Sequence, residues 1–357
     1  MENRMAGRLG VDPVTGLARA DALRLPLADN SVDLVVTSPP YFALRSYQDG
    51  DEHYDGQIGS EASPQDFLEA LWAATVEMVR VVKPSGSIFV NLGDKYSTGS
   101  SGQSNLATLG QRLGTGGGHS DAKARRSSRP VAGFRQKSLL GLPWRYAIGC
   151  IDDLGLILRS EIVWSKPNGL PESVTDRVRR SHEQWFHFTL ESRYFSAIDE
   201  IREAHLTTGG ITPDEARNDP RYAASSHRNI EVRDGTTKGA TPKFAGNPLG
   251  KLPGSVWSIP SEPLQVPDHL GVDHFAAFPQ EWPRRLILGW CPPEGVVLDP
   301  FAGTGTVPMV AKALGRTGIG VDLSADYLRL ADWRINESGH AAKTIRRTNQ
   351  DRQGSLL

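Results

Sequence analysis

The sequence has little cysteine, no long apolar run and almost no net charge. Its two cysteines, Cys150 and Cys291, lie far apart and form no C-x-x-C pair, which argues against a disulfide framework and against a zinc ribbon. No stretch of about 18 apolar residues is present to span a bilayer. Met1 to Gly16 carries no apolar run, so no signal peptide is read there, and a soluble, cytoplasmic chain is expected. Lys and Arg number 40 against 41 Asp and Glu, a net charge of -1. That excludes a chain that is basic throughout, yet it leaves nucleic-acid binding open, because net charge averages over segregated patches. Segregation is visible: residues 21–94 hold four basic against twelve acidic residues, 111–137 seven against one, and 217–251 seven against three. With 357 residues, 38% of them apolar, the chain can build a core as one large α/β domain with insertions, or as two domains.

Well-patterned blocks alternate with poorly patterned ones. Val32 to Val36 is a β-branched run that reads as a buried strand. Ser63-Pro64-Gln65-Asp66 reads as a helix start, followed at helical spacing by Phe67, Leu68, Leu71, Trp72, Thr75, Met78, Val79 and Val82. Lys83 to Gly86 reads as a stop, and Ser87 to Leu92 as the next strand. Strand, helix, strand in that order is a βαβ unit. Residues 97–137 are Gly- and Ser-rich and basic, either a surface loop or one that orders on a phosphate backbone. A helix is expected over 139–155 and strands over 156–164 and 183–190. From Val296 the pattern resumes as strand, helix Val307 to Leu314, strand Gly318 to Val321 and helix Ala325 to Ile335. The tail after Gly339 is polar.

Two turns carry chemistry. Asp299-Pro300-Phe301-Ala302-Gly303-Thr304-Gly305-Thr306 lies between a strand and a helix, where glycines let a ligand approach the backbone and the helix N-terminus. Asp322 ends the following strand, near the spacing expected of a ribose-binding acid. The third glycine of a dinucleotide fingerprint is missing and no Walker-type loop occurs. This turn alone suits a generic nucleotide-type ligand, an NAD-dependent oxidoreductase included. The second turn, Thr37-Ser38-Pro39-Pro40-Tyr41, follows directly on the strand Val32 to Val36. Two prolines fix φ and make a rigid corner at a strand end where open parallel sheets bind ligands. The Ser38 oxygen and the Pro39 carbonyl can accept hydrogen bonds from an NH2 group, while Tyr41 stacks on a planar ring.

In this order the two turns resemble those of the DNA amino-methyltransferases of the permuted β class, whose T-S-P-P-Y motif comes first. Asn91 to Tyr96, Trp164 to Asn168, Pro171 to Val174 and His274 to Pro279 are similar to further phrases of that family. The resemblance implies a doubly wound, Rossmann-like α/β methyltransferase sheet of seven strands, permuted, with an inserted target-recognition region. It implies residues 1–198 as the catalytic half, 199–252 as the recognition region, 253–339 as the S-adenosylmethionine-binding half, and 340–357 as a tail.

S-adenosylmethionine is the implied cofactor, held by Asp299 to Thr306 with Phe278 alongside, Asp322 on the ribose and Asp21 near the adenine amine. The implied partner is double-stranded DNA, with a restriction endonuclease as a possible separate companion and a monomer or homodimer as the assembly. Ser38, Pro39, Pro40 and Tyr41 are the implied catalytic residues, acting on a base flipped out of the stack. Serine before the two prolines favours cytosine N4; adenine N6 is the alternative, and a non-catalytic nucleic-acid-binding module a further one. A cysteine nucleophile for C5 methylation has no candidate, since neither thiol follows a proline. Arg125, Arg126, Arg129, Arg177, Arg179 and Arg180 are candidate phosphate contacts. His182, Glu183 and His187 lack the spacing of a helical zinc motif, and no metal site is expected.

Overall fold

The computed structural model describes residues 15–43, 48–49, 52–53, 57–97, 131, 133–169, 171–203, 251–264, 266–267, 270 and 277–337. The basic run 98–130, with Arg125, Arg126 and Arg129, lies outside these residues. So do 204–250, His274 to Ala276 and the tail from 338.

The strands are β1 (Thr15–Arg19), β2 (Val32–Thr37), β3 (Gln48–Asp49), β4 (Glu52–His53), β5 (Val82–Leu92), β6 (Ile157–Ser165), β7 (His182–Thr189), β8 (Val256–Ser258), β9 (Val296–Asp299) and β10 (Thr317–Asp322). The helices are α1 (Pro64–Val81), α2 (Leu142–Asp152), α3 (Glu281–Trp290), α4 (Thr306–Ala313) and α5 (Ala325–Asn336), with a 3₁₀ turn at Ile198–Ile201. Among the described residues eight strands form one sheet in the order β1-β10-β9-β2-β5-β7-β6-β8, and β3 pairs with β4 separately. Among the described strands of the large sheet, β7 alone runs antiparallel to the rest.

The sheet therefore has eight strands where seven were expected. The added edge strand, β8, is three residues long, too short to show a period. It is drawn onto β6 by aromatic packing. Trp257 stacks on Trp282 at 4.9 Å, Trp282 stacks on Trp185 at 4.9 Å, and Trp164 Nε1 donates to the Ile259 carbonyl at 2.7 Å.

Local chemistry explains the helix starts. Ser63 Oγ accepts from Asp66 N–H at 3.1 Å with Pro64 in the first turn of α1, as the sequence predicts. Helix α2 is shorter than expected, because Gly141 sits at φ +70° and the Asp94 carboxylate, from another segment, accepts from Gly141 and Leu142 N–H at 3.1 Å each. The segment Lys83 to Gly86 does not separate helix from strand. β5 begins at Val82, directly after α1, with a register shift between its pairings to Val32 and Leu34.

Helices α1 and α2 pack on one face of the sheet and α3 and α4 on the other, each over its own apolar cluster. Every residue of β2 is buried, which fits a central parallel strand covered on both faces. Among the described residues no helix is long and apolar enough to cross a membrane.

Candidate active site

The sheet order brings together the two turns that the sequence keeps far apart. β9 and β2 are neighbours, pairing Leu34 with Val297 and Val35 with Leu298. Their carboxyl ends, Asp299 and Thr37, open onto the same edge. Ligands in open α/β sheets bind at this edge, where the strand order reverses.

On the β2 side, Ser38 Oγ donates to Asn91 Oδ1 at 3.3 Å. The Tyr41 hydroxyl lies 2.8 Å from the same Asn91 oxygen and 2.9 Å from Glu183 Oε2, donating towards both. Asn91 is buried in β5, and its Nδ2 donates to the Gln184 carbonyl at 3.1 Å, so its amide has one consistent orientation. Glu183 also accepts from Lys166 Nζ at 2.5 Å, and that ammonium sits 4.0 Å from the centre of the Trp164 ring. The Tyr41 ring passes close over Gly93, where an added Cβ would fall 2.6 Å from Tyr41 Cε2. Asn91 and Lys166 stood in family-like phrases without a role, and Glu183 stood in a rejected metal motif. The contacts that unite them join residues up to 142 positions apart, so no local pattern could have revealed them.

The β9 side is a glycine turn held from below. Gly303 and Gly305 have φ of +48° and +71°, a region open to glycine at little cost. Asp322, at the end of β10, accepts from Gly303 N–H at 2.8 Å and Ser324 N–H at 2.9 Å. The buried Arg334 of α5 donates to the hydroxyls of Thr304 at 2.8 Å and Thr306 at 2.6 Å. Burial lowers the Arg334 guanidinium to about 10. The side chains of Asp299, Ala302, Thr304 and Thr306 are thus turned inward and shape the turn, while Phe301 and Gly303 keep a partly open face.

Asp21 follows β1 and is exposed. β1 pairs with β10, so Arg19 lies opposite Asp322 and Asp21 stands beside the Asp322 strand end. Phe278 is half-buried, its ring edge-on to Trp185 at 5.7 Å. Two carboxylates at adjacent strand ends beside an open glycine turn can receive hydroxyl and amino groups of a ligand, while Phe278 is placed against β7.

Residues 166–169 and 171–181 lie at the same edge. Arg177 pairs with Glu172 at 2.8 Å and lies 4.0 Å over the Tyr96 ring; Arg179 donates to the Gly169 carbonyl at 3.0 Å; Arg180 is 3.8 Å from the Asp94 carboxylate. Each candidate arginine here also has a partner within the protein.

His187 and the two cysteines have packing roles. His187 is buried, stacked on Phe89 at 4.1 Å, and burial lowers its imidazole to about 3. Among the described residues no group of three or more ligating side chains could hold a metal. Cys150 and Cys291 are both buried, which pushes their thiols up to about 12. Neither is poised as a nucleophile.

The family model described as DNA methylase, N6_N4_Mtase, matches residues 32–332. The chain is 35% identical to the Type II methyltransferase M.XycI of Xanthomonas campestris pv. cyanopsidis, covering 92% of this chain and 90% of that protein. It is 34% identical to the Type II methyltransferase M.Cfr9I of Citrobacter freundii, covering 89% and 87%. Among solved structures, the PvuII DNA methyltransferase, described as cytosine-N4-specific, shares the fold with a TM-score of 0.58 at 17% identity over 96% of both chains. A match that spans both turns and the sheet between them identifies the chain as a member of the N6/N4 DNA methylase family.

Proposed function

We propose that this protein transfers a methyl group from S-adenosylmethionine to the exocyclic amine of a base flipped out of duplex DNA, with cytosine N4 as the target. The observation that carries the reading is the Ser38 hydroxyl. Its proton points to Asn91 Oδ1, so its oxygen lone pairs face outward as acceptors. The corner that follows has two prolines and hence no backbone N–H to offer. Ser38 Oγ and the Pro39 carbonyl are then two acceptors set to receive the two protons of an NH2 group.

Bound at the Phe301 to Gly305 turn, with Asp322 on the ribose, Asp21 towards the adenine amine and Phe278 alongside, the cofactor supplies an electrophilic methyl on a sulfonium. The residues of this chain do the rest. Hydrogen bonds to Ser38 and Pro39 favour a more tetrahedral amine nitrogen and release its lone pair from the ring. Tyr41 stacks on the flipped base and fixes its plane. This is catalysis by orientation and electrostatics, without a covalent intermediate. The choice of cytosine N4 rests on serine at position 38, which the family resemblance associates with that atom.

Duplex DNA is the partner in this reading, and a restriction endonuclease would act as a separate chain. Recognition of the target sequence is assigned to 199–252, and phosphate contacts to Arg125, Arg126 and Arg129 together with Arg177, Arg179 and Arg180.

The test is to incubate the protein with tritiated S-adenosylmethionine and unmethylated genomic DNA and to digest the product to nucleosides. Label in N4-methylcytosine supports the reading; label in N6-methyladenine replaces the target atom; no label in DNA from several sources overturns it. Ser38→Ala is expected to slow transfer by about ten- to a hundredfold with cofactor affinity unchanged.

A further inference from the structure

We propose that Glu183, braced by Lys166, is a positioning residue for methyl transfer, acting through the Tyr41 hydroxyl on both the Tyr41 ring and the Ser38 hydroxyl. The inference rests on the methyltransferase reading of this site.

A phenol carries one proton. At Tyr41 that proton faces two acceptors, Asn91 Oδ1 at 2.8 Å and Glu183 Oε2 at 2.9 Å. Asn91 cannot turn its amide to donate instead, because Nδ2 is engaged with the Gln184 carbonyl. The same Asn91 oxygen also receives Ser38, at the longer distance of 3.3 Å. Two hydroxyls therefore share one amide oxygen, one on each lone pair, and the stronger, charged acceptor on Glu183 draws part of the phenol proton away from it. Without Glu183 the phenol proton goes wholly to Asn91. The oxygen then gives less to its second donor, so the already long Ser38 bond weakens and Ser38 more often aims its own proton at the incoming amine, the wrong polarity for an acceptor.

The bracing explains an otherwise costly ion pair. Lys166 and Glu183 have side chains only 22% and 18% exposed, and desolvating such a pair costs about as much as the pair returns. Seating a tyrosine at a strand end does not need it, since Asn91 and the close approach over Gly93 already confine the ring. The pair does hold the carboxylate in one place. Lys166 takes Oε1, so Oε2 is left for the phenol. The Trp164 ring below the ammonium, at 4.0 Å, steadies Lys166 in turn. Glu183 and Trp164 are paired across β7 and β6, and Lys166 directly follows β6 with its N–H donating to the Ser181 carbonyl at 2.9 Å, so the brace is anchored at two strand ends.

The experiment is a double-mutant cycle read by single-turnover transfer of tritiated methyl to unmethylated genomic DNA, with cofactor affinity and thermal midpoint measured for every variant. Glu183→Ala is expected to slow transfer about tenfold, as for loss of one hydrogen bond to a charged group, with cofactor affinity within about twofold. Glu183→Gln must turn its one oxygen to Lys166 and so presents its NH2, a donor, to the phenol; it is expected to be about as slow as Glu183→Ala. Tyr41→Phe is also slow, and adding Glu183→Ala to it costs less than about twofold more, because the two residues act as one unit. Multiplicative losses in the double variant, a Glu183→Gln rate near that of the wild type, or an unchanged rate in Glu183→Ala would overturn the proposal. A wild-type protein that labels no DNA would instead overturn the methyltransferase reading.

Discussion

The Thr37 hydroxyl donates to Asp299 Oδ1 at 2.6 Å, although the two residues are 262 positions apart. Thr37 precedes Ser38, and Asp299 opens the glycine turn. The same carboxylate oxygen accepts from Phe301 N–H at 3.1 Å. One buried side chain thus fixes the acceptor corner for the base against the turn that would hold the methyl donor. In-line transfer needs that spacing held to a fraction of an ångström.

Burial raises the Asp299 carboxyl to about 7, against the pull of the Thr37 and Phe301 hydrogen bonds. A carboxyl raised in the folded state stabilises the fold at low pH and loses that contribution as pH rises to the folded value. Asp299 should therefore cost stability progressively between about pH 4 and pH 7. Asp299→Asn removes the titration, and its thermal midpoint should decline less than that of the wild type across this window. Equal slopes in a pH series of melting curves would count against the assignment. Thr37→Val should lower the midpoint at pH 8, where the carboxylate is charged, more than at pH 5.

His187 works in the opposite direction. Its imidazole is lowered from 6.5 to about 3, chiefly by burial and further by the charge of Arg159. Its contribution is complete above pH 6.5 and is lost as pH falls towards 3. His187→Phe should unfold earlier at pH 7, because Ser87 Oγ, now 3.0 Å from the ring nitrogen, loses its partner, a cost of about 1 kcal/mol. The same variant should lose less stability than wild type between pH 7 and pH 5, as read by denaturant titration at both values.

Gly93→Ala addresses the base-binding side alone. Its Cβ would fall 2.6 Å from the Tyr41 ring, so the ring must shift. Methyl transfer to DNA is expected to fall by at least about tenfold, as for a reacting group displaced by a fraction of an ångström. Calorimetric affinity for S-adenosylmethionine should stay near wild type. A parallel loss of both would mean that the substitution disturbs the whole edge of the sheet.

Gly305→Ala addresses the opposite side. Gly305 is at φ +71°, and a Cβ would lie 2.7 Å from the Ala331 Cβ of α5. Left-handed backbone costs a residue with a Cβ about 1–2 kcal/mol, and the contact forces the turn away from α5. Cofactor affinity should weaken at least about tenfold in the same calorimetric assay, with a lower thermal midpoint. Unchanged affinity would remove this turn from the cofactor site.

The sequence by itself determined the two turns and the elements that carry them. Prolines after a buried strand, glycines between strand and helix, and Ser63 before Pro64 act over a few residues, so their effect can be read without the fold. Alternating strand and helix periods also marked the chain as α/β, and the doubly wound class followed from the family resemblance. Only the tertiary structure decided what faces what. The edge strand β8 exists because Trp257 finds Trp282, which no three-residue pattern contains. Asp299, Thr304 and Thr306 look like ligand-facing polar residues in the sequence, yet Thr37 and Arg334 claim them from inside. Glu183 looked like part of a failed metal motif until β7 carried it to Tyr41. Hydrogen bonds and aromatic stacking depend on distance in space, and a chain of this length brings residues 142 and 262 positions apart within 3 Å of each other only once it has folded.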